Sequence, residues 1–195
     1  MTTAYRRHEW GSNFGDTLPP MRRVRYAVAC SLDSFIAGPS GEFDWITPDP
    51  EIDSAQDFSR YDTLLIGRRT FEVMRAHGQP TFPGMKNYIF SRTLKRADIP
   101  ESAILSTIPE LTVAELRNQP DNGKDIWLFG GGELFRTLLA ARLVDEIELA
   151  VIPILLGSGI PLLPPSQHVP LTLTQHKVYS SGILSLTYAI ASDSP

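Results

Sequence analysis

The chain has 195 residues, with 18 Lys and Arg against 22 Asp and Glu, and a single cysteine, Cys30. That length suffices for one domain with a real hydrophobic core, and the nearly even charge balance gives no electrostatic basis for a nucleic acid or membrane partner. The lone cysteine excludes an intramolecular disulfide and no apolar run reaches the length of a membrane span, so a reduced, cytoplasmic setting is expected.

Residues 1–20 carry Arg6, Arg7, His8, Glu9, Asp16 and the pair Pro19-Pro20 without the apolar block of a signal peptide. They read as a flexible tail before a domain at 21–191, with Met21 as an alternative start. Strand-length apolar blocks follow at 24–31, 63–66, 87–90, 103–106, 125–129, 146–152, 171–179 and 183–190. Asp49-Pro50-Glu51 offers an N-cap, a first-turn proline and an acidic first turn for a helix running toward residue 60. Thr112 and Glu115 have capping-box spacing, and Pro120 stops that helix. Leu134, Phe135, Leu138 and Leu139 give the next helix a broad apolar face that packs inward. The last two blocks alternate apolar and polar residues around Ser180-Ser181-Gly182, the pattern of an antiparallel hairpin at a sheet edge. Thr63-Leu64-Leu65-Ile66 and Trp127-Leu128-Phe129 are instead continuous apolar runs, as in strands covered on both faces. The fold class expected is α/β: one domain with a twisted, mostly parallel sheet flanked by helices and an antiparallel C-terminal edge hairpin.

The stretch from Ile126 to Phe135 runs from a buried-type strand through Gly130-Gly131-Gly132 into a helix. With no side chains at that junction, backbone N–H groups and the helix dipole can approach a phosphate closely. Two other strands end comparably, in Gly67-Arg68-Arg69-Thr70 and in Ser91-Arg92-Thr93. Ligands of open α/β sheets sit outside the carboxyl ends of strands, so the three loops can converge on one ligand. Arginine forks match phosphate oxygens, and Arg68 or Arg92 suits an adenosine 2′-phosphate. Arg68-Arg69 and Arg92 also fit plain solvated surface positions. Neither G-x-G-x-x-G nor the P-loop lysine motif occurs, which disfavours the ordinary nucleotide-binding folds.

Several segments in order carry a family resemblance: Ser31-Leu32-Asp33-Ser34-Phe35-Ile36-Ala37-Gly38, Asp44-Trp45, Ile66 to Glu72, Phe129 to Leu134, Leu143-Val144-Asp145-Glu146, and Ile152 to Leu162. Over residues 23–190 the chain resembles the dihydrofolate reductase superfamily, and within it the stand-alone relatives of the riboflavin-biosynthesis reductase domain. The resemblance implies a dihydrofolate reductase-like fold, NADPH as cofactor, a small-molecule substrate and a homodimer. By the same resemblance Gly67, Arg68 and Thr70 hold the adenosine end and pyrophosphate, Ser91 and Arg92 surround the 2′-phosphate, and Gly130, Gly131, Gly132, Glu133 and Leu134 form the turn against the pyrophosphate. A cis peptide between Gly131 and Gly132 is also implied. Ser34 departs from the glycine usual after that aspartate, which predicts a different backbone shape there, and no H-x-E or P-C-x-x-C deaminase signature is present.

Asp33 is the acidic residue expected beside the nicotinamide. Reduction of a C=N or C=O bond needs a proton besides the hydride, and a partly buried carboxyl with a raised pKa can deliver or relay it. Asp33 equally fits a turn-capping role. Asp44 is the reserve acid, and Trp45 beside it can stack on a flat heterocycle or belong to the core. Gly157 and Gly159 suit either a turn or the substrate side. The four histidines lack metal-ligand spacing, so no metal site is expected. The leading expectation is an NADPH-dependent reductase of a pteridine- or pyrimidine-like heterocycle or related carbonyl or imine compound. A non-catalytic, dimeric NADPH-binding sensor and a true dihydrofolate reductase are the alternatives.

Overall fold

Leu64, Leu65 and Ile66 are all fully buried, and this continuous run sits where the sheet is covered on both faces. The computed structural model describes residues 21–52, 58–120 and 122–191; the tail expected at 1–20 lies outside them. In chain order the elements are β1 (Val24–Ser31), β2 (Phe35–Ala37), β3 (Tyr61–Gly67), α1 (Arg68–Ala76), β4 (Lys86–Phe90), a 3-10 turn (Arg96–Asp98), β5 (Ala103–Ser106), α2 (Pro109–Arg117), β6 (Asp125–Gly130), α3 (Gly132–Ala140), β7 (Glu146–Ile152), β8 (Ile160–Pro161), β9 (Leu171–Val178) and β10 (Leu184–Ile190). Eight strands form one sheet in the order β5-β4-β3-β6-β1-β7-β10-β9. The pairings from β5 to β7 are parallel, and β10 runs antiparallel to both β7 and β9.

The eight strands expected from apolar blocks are therefore all present, with ends shifted by at most two residues. The small β2–β8 pair was not legible, because segments of three and two residues are too short to show a period. A second difference concerns α2. Thr112 lies inside the helix rather than at its cap, because Pro109 starts it with a preset φ and Thr112 N–H already donates to Ile108 O at 3.1 Å. The Thr112 hydroxyl instead meets Ser106 Oγ at 2.8 Å. The helix ends at Arg117, before Pro120. Asp49 has capping geometry, its Oδ1 accepting from Glu51 N–H at 2.7 Å, while most of the helix expected after it falls on residues 53–57, outside the described residues.

Period-two alternation splits the core into two layers. Val24, Tyr26, Leu65 and Leu128 point to the face covered by α2 and α3, where they meet Phe135 and Leu138. Leu64, Ile66, Ile89 and Trp127 point to the face covered by α1 through Phe71. The Tyr26 and Phe135 rings stack at 3.9 Å, locking α3 onto β1. That packing also fixes the start of α3 relative to the sheet. Truncating Phe135 to alanine is expected to cost about 3–5 kcal/mol, the range for a buried phenylalanine, read as a lower denaturant midpoint. An unchanged midpoint would show that α3 is held by other contacts.

Candidate active-site cleft

At the carboxyl end of β3, Gly67 faces the end of β6 so closely that a Cβ there would stand 3.1 Å from Gly131 N and 3.3 Å from Gly130 O. The β6 turn continues this tight junction: Gly130 has φ 143°, a conformation open to glycine, and a cis peptide joins it to Gly131. That bond lies one residue before the expected pair, since Gly132 already opens α3 with Gly131 as its N-cap. No side chain caps α3, so its first N–H groups face the space above the turn without an intrahelical partner.

This space is the upper part of a cleft of about 1350 Å3, more than one small ligand needs and enough for a dinucleotide plus a second molecule. Gly67, Arg68, Thr70, Ser91, Arg92 and Gly130 to Leu134 all line it, so the structure gathers every residue expected at the cofactor end. Their side chains differ in freedom. Arg68 Nη1 donates to both carboxylate oxygens of Glu72, at 2.9 and 3.0 Å, and Glu133 is paired with Arg136. Ser91 Oγ accepts from Thr93 and Leu94 N–H and so shapes its own loop. Among the described residues Arg69 and Arg92, both on the cleft wall, have no hydrogen-bond or ion-pair partner.

The other half of the cleft is apolar and aromatic. Ala27 and Ala29 of β1 leave room, and Phe58, Phe82, Trp127 and Phe129 surround it. Phe58 stacks on Trp127 at 4.9 Å, and Phe82 meets both Trp127 and Phe129 edge-on.

None of the residues expected on the substrate side lines this cleft. Asp33 is the clearest correction. Its carboxylate accepts from Ser31 Oγ at 2.6 Å, Gly157 N–H at 2.7 Å and Leu156 N–H at 3.1 Å. These bonds, the serine's foremost, hold its pKa below the ordinary aspartate value, opposite to the raised value a proton donor would need. Ser34, beside it, has φ 65°, the left-handed region that glycine favours, so the serine does not change the backbone region at this turn. Asp44 is exposed, and Trp45 turns its indole N–H to Glu42 O at 3.1 Å. Gly157 is a positive-φ turn residue whose N–H serves Asp33. Gly159 is excluded from the cleft by its own packing: a Cβ there would stand 2.2 Å from Ala37 O, where β2 passes β8.

Three cleft residues escaped sequence reasoning: Glu148 on β7, Tyr61 opening β3, and Arg60 before it. Glu148 sits opposite Ala27 in the sheet register and pairs with Arg25 at 3.0 Å and with Arg60. Burial disfavours the Arg25 cation, but Asp125, Glu146 and Glu148 outweigh it and keep its pKa above the ordinary value. Burial, and next the charge of Glu148, push the Tyr61 hydroxyl well above its ordinary value. Tyr61 Oη and Arg60 Nε are buried and have no hydrogen-bond partner among the described residues. The available signal was a glutamate near the start of the otherwise apolar run Ile147 to Ile152.

Residues 22–185 match the family model described as the RibD C-terminal domain. The chain is 34% identical to protein YyaP of Bacillus subtilis strain 168 over 180 residues, covering 86% of this chain and 94% of the relative. Among solved structures, a Shewanella sp. PV-4 protein described as a candidate riboflavin biosynthesis protein superposes with a TM-score of 0.73 at 23% identity, covering 88% of this chain and 100% of that one. Dihydrofolate reductase from Enterococcus faecalis superposes with a TM-score of 0.62 at 17% identity, covering 87% and 97%. The family match spans the sheet, the glycine junction and the cleft together, and on it the chain belongs to the RibD C-terminal domain family, with a dihydrofolate reductase-like fold.

Proposed function

We propose that the protein is an NADPH-dependent reductase of a small pteridine- or pyrimidine-like heterocycle, or of a related carbonyl or imine compound. The observation that carries this reading is the junction of Gly67 with Gly130 and Gly131, whose missing Cβ atoms leave a backbone cradle beside the free N–H groups of α3. The dihydronicotinamide, when bound, supplies a hydride. The chain's own part is to seat the phosphates at the glycine junction, to offer Arg92 and Arg69 to a 2′-phosphate, and to give a flat substrate the apolar wall that Phe58, Phe82, Trp127 and Phe129 form. The Enterococcus faecalis neighbour was solved in complex with NADP(H), which supports the same assignment. A homodimer and a cytoplasmic setting complete the reading. The buried Cys30 thiol, pushed up to about 11 by desolvation, stays protonated there.

Arg68 remains in the cofactor set despite its bond to Glu72. An exposed i,i+4 pair contributes about 0.3–0.5 kcal/mol, whereas a charge-assisted bond to phosphate contributes roughly 1.5–3 kcal/mol, so Arg68 exchanges partners when a phosphate arrives. Calorimetric titration should show the parent preferring NADPH to NADH, and Arg92→Ala or Arg68→Ala should weaken NADPH by about ten- to a hundredfold while changing NADH much less. Equal affinity of the parent for the two cofactors would remove the 2′-phosphate site. NADPH binding without its oxidation by any pteridine, pyrimidine or quinone would favour the sensor instead.

Gly131→Val tests the cradle. Its Cβ would stand 3.2 Å from Thr70 Oγ1, and two methyl groups beyond it would occupy the space over the turn. NADPH affinity should fall at least about tenfold, with little change in the melting temperature because Gly131 has an ordinary extended backbone. Undiminished affinity would place the pyrophosphate elsewhere.

For Asp33 we infer a stapling role between the turn after β1 and the loop at 154–157. Its depressed pKa makes its contribution complete above the ordinary value of 3.8 and lost as the pH falls through the lower folded-state value. Asp33→Asn should therefore melt at a lower temperature than the parent at neutral pH, and the gap should close in acid. A gap that stayed unchanged however far the pH fell below the ordinary value of 3.8 would show that ionisation of Asp33 is not its source.

A further inference from the structure

Two buried polar atoms on consecutive cleft-lining residues have no hydrogen-bond partner among the described residues. Tyr61 is only 6% exposed; its ring stacks on Trp127 at 5.3 Å, and its hydroxyl bonds to no described residue. The Arg60 guanidinium lies over the same ring, with Cζ 4.9 Å from the centroid; it gives Nη2 to Glu148 and leaves Nε unpartnered. Buried donors are almost always met, so a pair of them beside a cleft calls for a partner that the described residues do not supply. Glu148 completes the set from the acceptor side. Each of its carboxylate oxygens takes one arginine N–H, and an ionised carboxylate has room for about four such bonds.

We propose that Tyr61, Arg60 and Glu148 form the specificity site of the substrate half, reading the imide or amide edge of a planar ring. The inference rests on the reductase reading and names which polar edge that substrate carries. Tyr61 O–H and Arg60 Nε–H donate to a ring carbonyl, while Glu148 accepts from the adjacent ring N–H. Phe58 and Phe82, which line the cleft and pack on Trp127, supply the apolar wall beside the ring. Arg25 acts behind this set as a positioning residue: held by Asp125 and Glu146, it fixes the Glu148 carboxylate in place without lining the cleft itself. A ring with alkylated nitrogens would leave the carboxylate unmet and, lacking the N–H, be rejected.

Lumazine, a pteridine-dione with N–H groups beside its carbonyls, and 1,3-dimethyllumazine, which keeps the carbonyls and loses those N–H groups, separate the two halves of the edge. Binding is measured by calorimetry on the full chain, with NADPH titrated separately. The parent should bind lumazine at least about tenfold more tightly than the dimethyl form, and Glu148→Leu should abolish that preference. Tyr61→Phe removes a hydroxyl with no protein partner, so its melting temperature should equal or exceed the parent's while both probes bind about tenfold more weakly. Because it tests the site without threatening the fold, this variant decides the matter if Glu148→Leu does not fold. A parent that does not distinguish the probes or binds neither, or a Tyr61→Phe protein with undiminished lumazine affinity, overturns the proposal. These outcomes are independent of NADPH binding, whose failure in the parent would instead overturn the cofactor assignment.

Discussion

At the top of the sheet two strand ends meet backbone to backbone, so closely that a Cβ on Gly67 would stand 3.1 Å from Gly131 N and 3.3 Å from Gly130 O. Much of the cleft depends on this contact. Parallel pairing of β3 with β6 brings both carboxyl ends to the same level, and the absence of side chains lets the β6 turn enter α3 directly. The anchoring of α3 by Phe135, Leu138 and Leu139 in the core then fixes where its N–H groups point. An anion site of this kind uses fixed dipoles, so it needs little reorganisation when a ligand arrives. Gly132 is held from the other side: a Cβ there would stand 2.9 Å from Pro164 Cδ and 3.0 Å from Pro161 O, so the turn is wedged between β3 and the segment after β7.

The opposite end of the cleft is organised by charge rather than by close approach. Arg25 on β1 lies among Asp125, Glu146 and Glu148, carried by β6 and β7 on either side of it. Parallel neighbours supply these partners at fixed register, so the group is built by the sheet itself. Its carboxylates keep Arg25 charged despite burial, and Glu148 and Arg60 extend it into the cleft. The two ends thus differ in kind: above, backbone dipoles with Arg69 and Arg92, which have no partner among the described residues, and below, an ion-paired and aromatic pocket. That division suits a ligand with phosphates at one end and a flat ring at the other.

The loops expected on the substrate side turn out to lie outside the cleft. Asp33 ties the turn after β1 to residues 156 and 157, and Gly159 lets β8 lie against β2. A short motif with an acid, a small residue and an aromatic nearby looks chemical in one dimension. In three dimensions the Asp33 carboxylate accepts from Ser31, Leu156 and Gly157 and lies outside the cleft.

Sequence alone determined the strand series, the parallel core with its C-terminal hairpin, and the gathering of the glycine and arginine loops at one end of the cleft. Those features are local: continuous or alternating apolar runs, glycines at strand ends, and an amphipathic helix each leave their mark within a few residues. The start of α2 was also local, but proline at 109 outweighed the capping pattern at Thr112. Tertiary structure decided which polar groups face the cleft. Arg60, Tyr61 and Glu148 are up to 88 residues apart, and of the three only Glu148, a charge within an apolar strand, stands out from its neighbours in sequence. Their meeting depends on strand order and register, which place β7 beside β1 and Trp127 against Tyr61, and such long-range pairing leaves no periodic trace in any single segment.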